Sequence, residues 1–323
     1  MAAWADDSNS RGDNPDGNFN FDAHVARLTQ LTNGIASTTA FPTQLDPADV
    51  LLGGEDNDTL TGGDSADTLN GQGGNDLLFG KRENDLLLGG AGDDTLDGGY
   101  GNDTVLGQGG NDLVNGGHDE DVLQWFGATD GNDTMFGTSG ADQVQAFGDG
   151  ANNTLEISSN GPELVVSMGL NSIITAPTVN QLSVSGLGGD DQINVGDLSG
   201  VRQFLLTVNG DAGNDLLTAA GQNSGGVRLI LSGGDGLDTL VGGKGRDTLL
   251  GGRGNDRLFG GDNNDSLSGE GGNDVVDGQA GNDTVIGDTA ADTIIGATGG
   301  GNDTLFGSDG NDSLIGGGGA DSL

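Results

Sequence analysis

The chain contains no cysteine, which excludes disulfides and thiolate metal sites. Lysine and arginine together number 10 against 50 aspartates and glutamates, for a formal net charge of −40. A surface of that sign repels phosphate backbones and anionic headgroups, so neither nucleic acid nor a membrane surface is expected as a partner. Aromatic residues make up 4% of the chain. Large side chains therefore cannot fill a conventional core, and any core must be thin and built from Leu, Val and Ile. No apolar run is long enough to span a membrane. Residues 1–10 are acidic and polar, without the charged-then-apolar layout of a Sec-type leader. Neither HExxH nor GxSxG occurs, and the histidines His24 and His118 are isolated, so no catalytic set is expected.

In place of these the chain has 67 glycines, and most fall on a period of nine. Gly53 to Gln124 is eight uninterrupted nine-residue units such as GGAGDDTLD (Gly89 to Asp97). Glycine holds position 1. Aspartate holds position 6, as Asp58, Asp67, Asp76, Asp85, Asp94, Asp103, Asp112 and Asp121. Position 8 is always Leu or Val, from Leu60 to Leu123. After an insertion at Trp125 to Gly127 the phase returns with Asp133 and Asp142, and the next unit carries Asn153 where aspartate is due. From Gly233 a second array places Asp238, Asp247, Asp256, Asp265, Asp274, Asp283, Asp292, Asp303, Asp312 and Asp321 at position 6. Between the arrays the period widens. LSVSGLGGDDQI (Leu182 to Ile193), LTVNGDAGNDLL (Leu206 to Leu217) and LILSGGDGLDTL (Leu229 to Leu240) align with Asp191, Asp215 and Asp238 in register.

These periods predict an all-β solenoid. Positions 7 to 9 form a very short strand with residue 8 inward, and the glycines form the turn. Two units make one coil of a thin slab bounded by two parallel sheets. The centre forms wider coils with one aspartate turn each. Glu163 to Met168 and Ser172 to Ala176 are expected as a hairpin leaving the slab. Four segments follow: a leader and cap over 1–50, an array over 51–156, wider coils over 157–232, and a second array over 233–323. A short helix is expected over Asp22 to Leu31, N-capped by Asp22. Arg11-Gly12-Asp13 reads as chance in a tail of that composition.

Acids in phase with glycine point to cation binding rather than to a solvated, disordered chain. Turns 18 residues apart lie roughly 4.8 Å apart in the stack. Calcium seeks about six to eight hard oxygens, and an ion between two turns can draw on both. Asp58 then pairs with Asp76, Asp76 with Asp94, Asp67 with Asp85, and so on up each edge. Counting gaps gives about six sites in the first array and about eight in the second, roughly +28 of bound charge if each fills. Without the ions, stacked carboxylates repel and a thin core does not offset them, so folding is expected to require Ca²⁺.

The unit GGxGxDxUx, in tandem over Gly53 to Gln145 and Gly233 to Leu323 and more loosely over Ser183 to Ala219, resembles the RTX (repeats-in-toxin, hemolysin-type calcium-binding) family. That resemblance implies a right-handed parallel β-roll, calcium in the turns, and secretion of the unfolded chain in one step. Departures are Asn153, the wide central coils, and glycine-poor units such as GKRENDLLL (Gly80 to Leu88). Residues 1–50 are too few to bury a catalytic core. The function expected is a secreted, extracellular or cell-surface structural element, a fibre, surface-layer or matrix subunit, associating end to end with copies of itself. The alternative is a non-catalytic adhesion or polysaccharide-binding module of a larger RTX protein, with a cell-surface polysaccharide as partner, against which Trp125, Phe126 and Tyr100 look too sparse to form an aromatic row. Position 3 of the first array, from Glu55 to His118, carries no threonine ladder of the kind an ice-binding face needs, and His118 itself reads as a solvated turn residue.

Overall fold

The computed structural model describes residues 29–30, 48–175, 178–198, 200–201, 204–219, 227–296 and 301–323. They form two stacked sheets of fourteen and fifteen strands, and successive strands of the arrays alternate between the sheets. Neighbours within a sheet are therefore two units apart and run parallel. In one sheet Leu51, Leu69, Leu87, Val105 and Leu123 are cross-strand partners. In the other the row is Leu60, Leu78, Leu96, Val114 and Met135. All ten are fully buried. This is the inward position-8 ladder expected of a parallel β-roll, with each leucine contributing about 1.5–3 kcal/mol of burial.

The strands are longer than the three residues expected. Thr95–Tyr100 is representative: six residues whose alternating burial places both Leu96 and Gly98 inside. The glycines at positions 1 and 2 thus belong to the strand, because cross-strand pairing continues past them, as at Lys81 with Gly99. Only positions 4 to 6 turn the corner. Nor does loss of glycine divert the path. In the GKRENDLLL unit, Lys81 (φ 95°) and Glu83 (φ 66°) adopt the positive φ that glycine supplies elsewhere.

Two expectations need correction. The segment around Glu163–Met168 does not leave the slab. Thr154–Asn160, Glu163–Met168 and Asn171–Thr175 form an antiparallel meander inside the fifteen-stranded sheet, docked in parallel on Asn132–Phe136 at one side and Gln192–Val195 at the other. Its alternating Leu155, Ile157, Leu164, Val166 and Ile173 are buried, and that burial holds it in the sheet. In the opposite sheet Gln143–Phe147 pairs directly with Gln181–Ser185. Second, the expected helix over Asp22 to Leu31 falls mostly outside the described residues. Thr29 and Gln30, which are described, form a strand paired with Leu51 and Leu52. Extended backbone is what an open parallel edge accepts. The wide central coils pair as aligned, Leu182 with Leu206 and Leu206 with Leu229.

Candidate calcium sites

Position 6 ends each corner, and the strand after it starts with its side chains alternating in and out. The aspartates there point inward. Twenty of the twenty-two predicted, from Asp58 to Asp303, are buried, while Asp312 and Asp321 are partly exposed.

One oxygen of each carboxylate has a fixed role. The backbone N–H of an aspartate donates to Oδ1 of the aspartate one coil further on. Asp58 donates to Asp76 (2.8 Å), Asp76 to Asp94 (2.7 Å), Asp94 to Asp112 (2.8 Å) and Asp112 to Asp133 (2.9 Å). On the opposite edge Asp67, Asp85, Asp103, Asp121 and Asp142 are linked in the same way. A third ladder runs from Asn153 through Asp191, Asp215, Asp238, Asp256, Asp274 and Asp292 to Asp312. A fourth runs from Asp247 through Asp265, Asp283 and Asp303 to Asp321. The vertical pairs expected from the 18-residue spacing are therefore neighbours.

The second oxygen has no such role. In nineteen of these aspartates Oδ2 is buried without a hydrogen-bond partner among the described residues. At Asp58 and Asp247 both oxygens are in that state, since no earlier aspartate among the described residues donates to either. An orphaned buried acceptor costs about 1–3 kcal/mol, and more when charged. Desolvation accordingly pushes the carboxyls up, to about 7 at Asp85, Asp103 and Asp247 and about 8 at Asp133 and Asp265. Neighbouring carboxylates add to the rise at Asp85, Asp103, Asp133 and Asp265, against the opposing N–H bond. A cation removes that penalty where a proton otherwise must.

Among the described residues no three His, Asp or Glu side chains converge, so further ligands must be backbone oxygens. The position-1 glycine makes room for them. A Cβ on Gly53 would lie 2.7 Å from Asp58 Oδ2 and 2.6 Å from the carbonyl oxygen of Gly71 in the next coil. Gly251 is in the same relation to Asp256 and Gly269 (2.7 and 2.6 Å). An unpartnered carboxylate oxygen and a carbonyl thus face one space that only glycine leaves open. All-oxygen donors of this kind suit Ca²⁺, and the carboxylates with the adjacent glycine carbonyls would hold it.

Residues 48–78, 71–99, 79–114, 88–123, 128–155, 207–224, 232–267, 259–294 and 297–323 match the family described as RTX calcium-binding nonapeptide repeat (4 copies). The matches span more than half of the chain. The chain belongs to this family. Its repeats bind calcium, so this is a calcium-binding repeat protein that takes multiple Ca²⁺. RTX rolls are generally non-catalytic, and RTX proteins are typically secreted. No curated protein matches the chain.

Three features escaped the periodicity. The first array begins a unit early, on the Asp67 edge: Asp49 is buried, its N–H donates to Asp67 Oδ1 (2.7 Å), and Leu51 is the matching position 8. Its distance of nine from Asp58 was the available signal. Asn153 closes on itself. Its Oδ1 accepts from the Asp149 N–H (2.7 Å) and its Nδ2 donates to Asp149 Oδ1 (2.8 Å), so its amide is satisfied without a cation. Position 5 carries a second, exposed ladder in the reverse sense. Asn75 N–H donates to Asn57 Oδ1 (2.8 Å), Asp93 N–H to Asn75 Oδ1 (3.1 Å) and Asn111 N–H to Asp93 Oδ1 (2.9 Å). Recurrent Asn at that position was the signal for it.

Proposed function

We propose that this protein works outside the cell as a structural element, a fibre, surface-layer or matrix subunit, that calcium folds and stiffens. The observation that carries the reading is the set of buried carboxylates with an orphaned Oδ2. The position-6 aspartates from Asp58 to Asp321 are proposed as its ligands. Such a chain is held open by charge where calcium is scarce and ordered where calcium is plentiful. That difference separates the inside of a cell from its surroundings. Residues 51–156 and 233–323 are the calcium-ordered arrays in this proposal, with 157–232 as the wider spacer and 1–50 as the leader. No helix among the described residues is long and apolar enough to cross a membrane. Parallel coils are self-complementary, because the upper edge of one copy fits the lower edge of another. End-to-end self-association is therefore part of the proposal.

Sedimentation velocity tests it. Addition of millimolar calcium is expected to convert an expanded monomer into a rod-shaped species, and higher protein concentration to lengthen it into end-to-end oligomers. A calcium-loaded protein that stays monomeric at every concentration contradicts the assembly.

A further inference from the structure

Three adjacent strands of the fifteen-stranded sheet, Leu77–Arg82, Thr95–Tyr100 and Leu113–His118, carry a shallow trough on their outer face. Their register puts Phe79, Asp97 and Asn115 in one row, Lys81, Gly99 and Gly117 in a second, and Arg82, Tyr100 and His118 in a third. The outer rows stand up as walls. The middle row drops to bare backbone at the two glycines, with Lys81 at one end and Thr138 at the other. The result is an open trough of about 280 Å³ whose end residues lie three coils apart, or roughly 14 Å at the usual strand spacing. In the opposite sheet the equivalent third row is Gly73, Ala91 and Gly109, so no facing wall forms there.

The walls are pre-organised. Tyr100 stacks on His118 with ring centroids 4.5 Å apart and planes at 15°, and His118 Nδ1 is 2.7 Å from Ser139 Oγ. Lys81 Nζ sits 4.6 Å from the centroid of Phe79. Asn115 Nδ2 donates to Asp97 Oδ1 (3.0 Å), and Thr138 Oγ1 to Asn115 Oδ1 (3.4 Å). The Tyr100 hydroxyl, the Lys81 ammonium and the other Asp97 oxygen have no hydrogen-bond partner among the described residues. Little side-chain freedom remains to be lost on binding. Sequence spacing isolates Tyr100, but the stack brings it beside His118 and across from the Phe79 row.

We infer that this trough binds a neutral saccharide unit. Donors and acceptors alternate with aromatic edges, which matches a ring that presents hydroxyls beside C–H faces. The net charge of −40 repels polyanions, and Lys81 inside the trough disfavours a cation. The volume lies just below the usual range for ligand pockets, about 300–1,000 Å³, which suits one or two rings at a time. This goes beyond the structural role and rests only on the calcium-folded roll.

The test is saturation-transfer NMR and calorimetry on the full chain in calcium, with neutral tetrasaccharides of glucose, galactose and mannose and an anionic uronate tetrasaccharide. At least one neutral probe is expected to bind. Tyr100→Ala and Asp97→Ala should each weaken it tenfold or more, Tyr100→Phe several-fold, and Phe306→Ala on the other sheet not at all. Far-UV circular dichroism on the same samples reports the calcium-dependent fold separately, so a defect in that fold is distinguished from a defect in the trough. Absence of binding to all three neutral probes by the folded chain overturns the inference. So does preference for the uronate, or binding that Tyr100→Ala and Asp97→Ala leave unchanged while their spectra match the parent.

Discussion

Thr95–Tyr100, in the first array, buries one aliphatic side chain, Leu96, whereas Phe204–Ala212, in the centre, buries Phe204, Leu206 and Val208. The array coil carries a buried aspartate at both corners, as Asp94 and Asp103. The central coil carries one, Asp191 or Asp215, and across the slab from that ladder Leu198 and Ala219 are fully buried. The two regions share a stacking geometry and differ in what fills the corners. In the arrays the corners are filled by charge that needs a counter-ion. In the centre, half of them are filled by carbon. The meander at 154–175 marks the change. Among the described residues neither Asp133 nor Asp142 passes an N–H to a further aspartate, although the Asp142 carbonyl still accepts from the next coil at Asn180 and Gln181, and the next ladder starts from the self-satisfied Asn153. The arrays should therefore answer to calcium more steeply than the centre.

Acidity gives the largest contrast. The array carboxyls are held above the ordinary 3.8, to about 7 at Asp112 and about 8 at Asp265, chiefly by burial. A carboxyl raised by folding favours the protonated folded state. That contribution is complete below about pH 3.8 and is lost as pH climbs through 6 to 8. In chelator, acidification from pH 8 to pH 5 should therefore increase β-structure, read by circular dichroism. In calcium the order reverses, because protons compete with the ion, and the calcium midpoint should rise at low pH. An array whose chelated spectrum does not change with pH would break the comparison.

Single substitutions sharpen it. Asp265→Ala removes the acceptor for the Asp247 N–H and one carboxylate from a ladder. It should cost about 2–3 kcal/mol in urea unfolding at saturating calcium, as a lost hydrogen bond to a charged group does. Asn153→Asp, at the start of the central ladder, replaces the Nδ2 donor to Asp149 Oδ1 with an acceptor. It should lose about 1–2 kcal/mol. Adding an aspartate there thus destabilises, although the period calls for one. Asn75→Ala takes one acceptor from the exposed position-5 ladder and should cost least, about 0.5–1 kcal/mol.

Much of this was legible in the repeat. A period of nine with aspartate and leucine two apart puts both on the inner face, and the 18-residue coil fixes which aspartates become neighbours. The sequence did not show where the glycines would sit, because a strand interior and a turn are both compatible with them. Asp58 and Gly71 had to be seen together before position 1 made sense as a cradle rather than a bend. The meander was hidden for a different reason. Glu163–Met168 reads as a hairpin arm whether it joins a sheet or leaves it, and only pairing to Asn132–Phe136 through Asn171–Thr175 settles which. The trough was hidden because Phe79, Tyr100 and Thr138 are far apart in sequence and meet only through the stack.

Hydrogen exchange read by mass spectrometry, with calcium and then with excess chelator, tests the central claim most directly. Calcium is predicted to protect both arrays and the centre. Chelator is predicted to remove protection throughout 51–142 and 238–312, with residual protection confined to the central strands between Thr154 and Leu231. Arrays that keep their protection in chelator, or a centre that loses it first, would contradict the account.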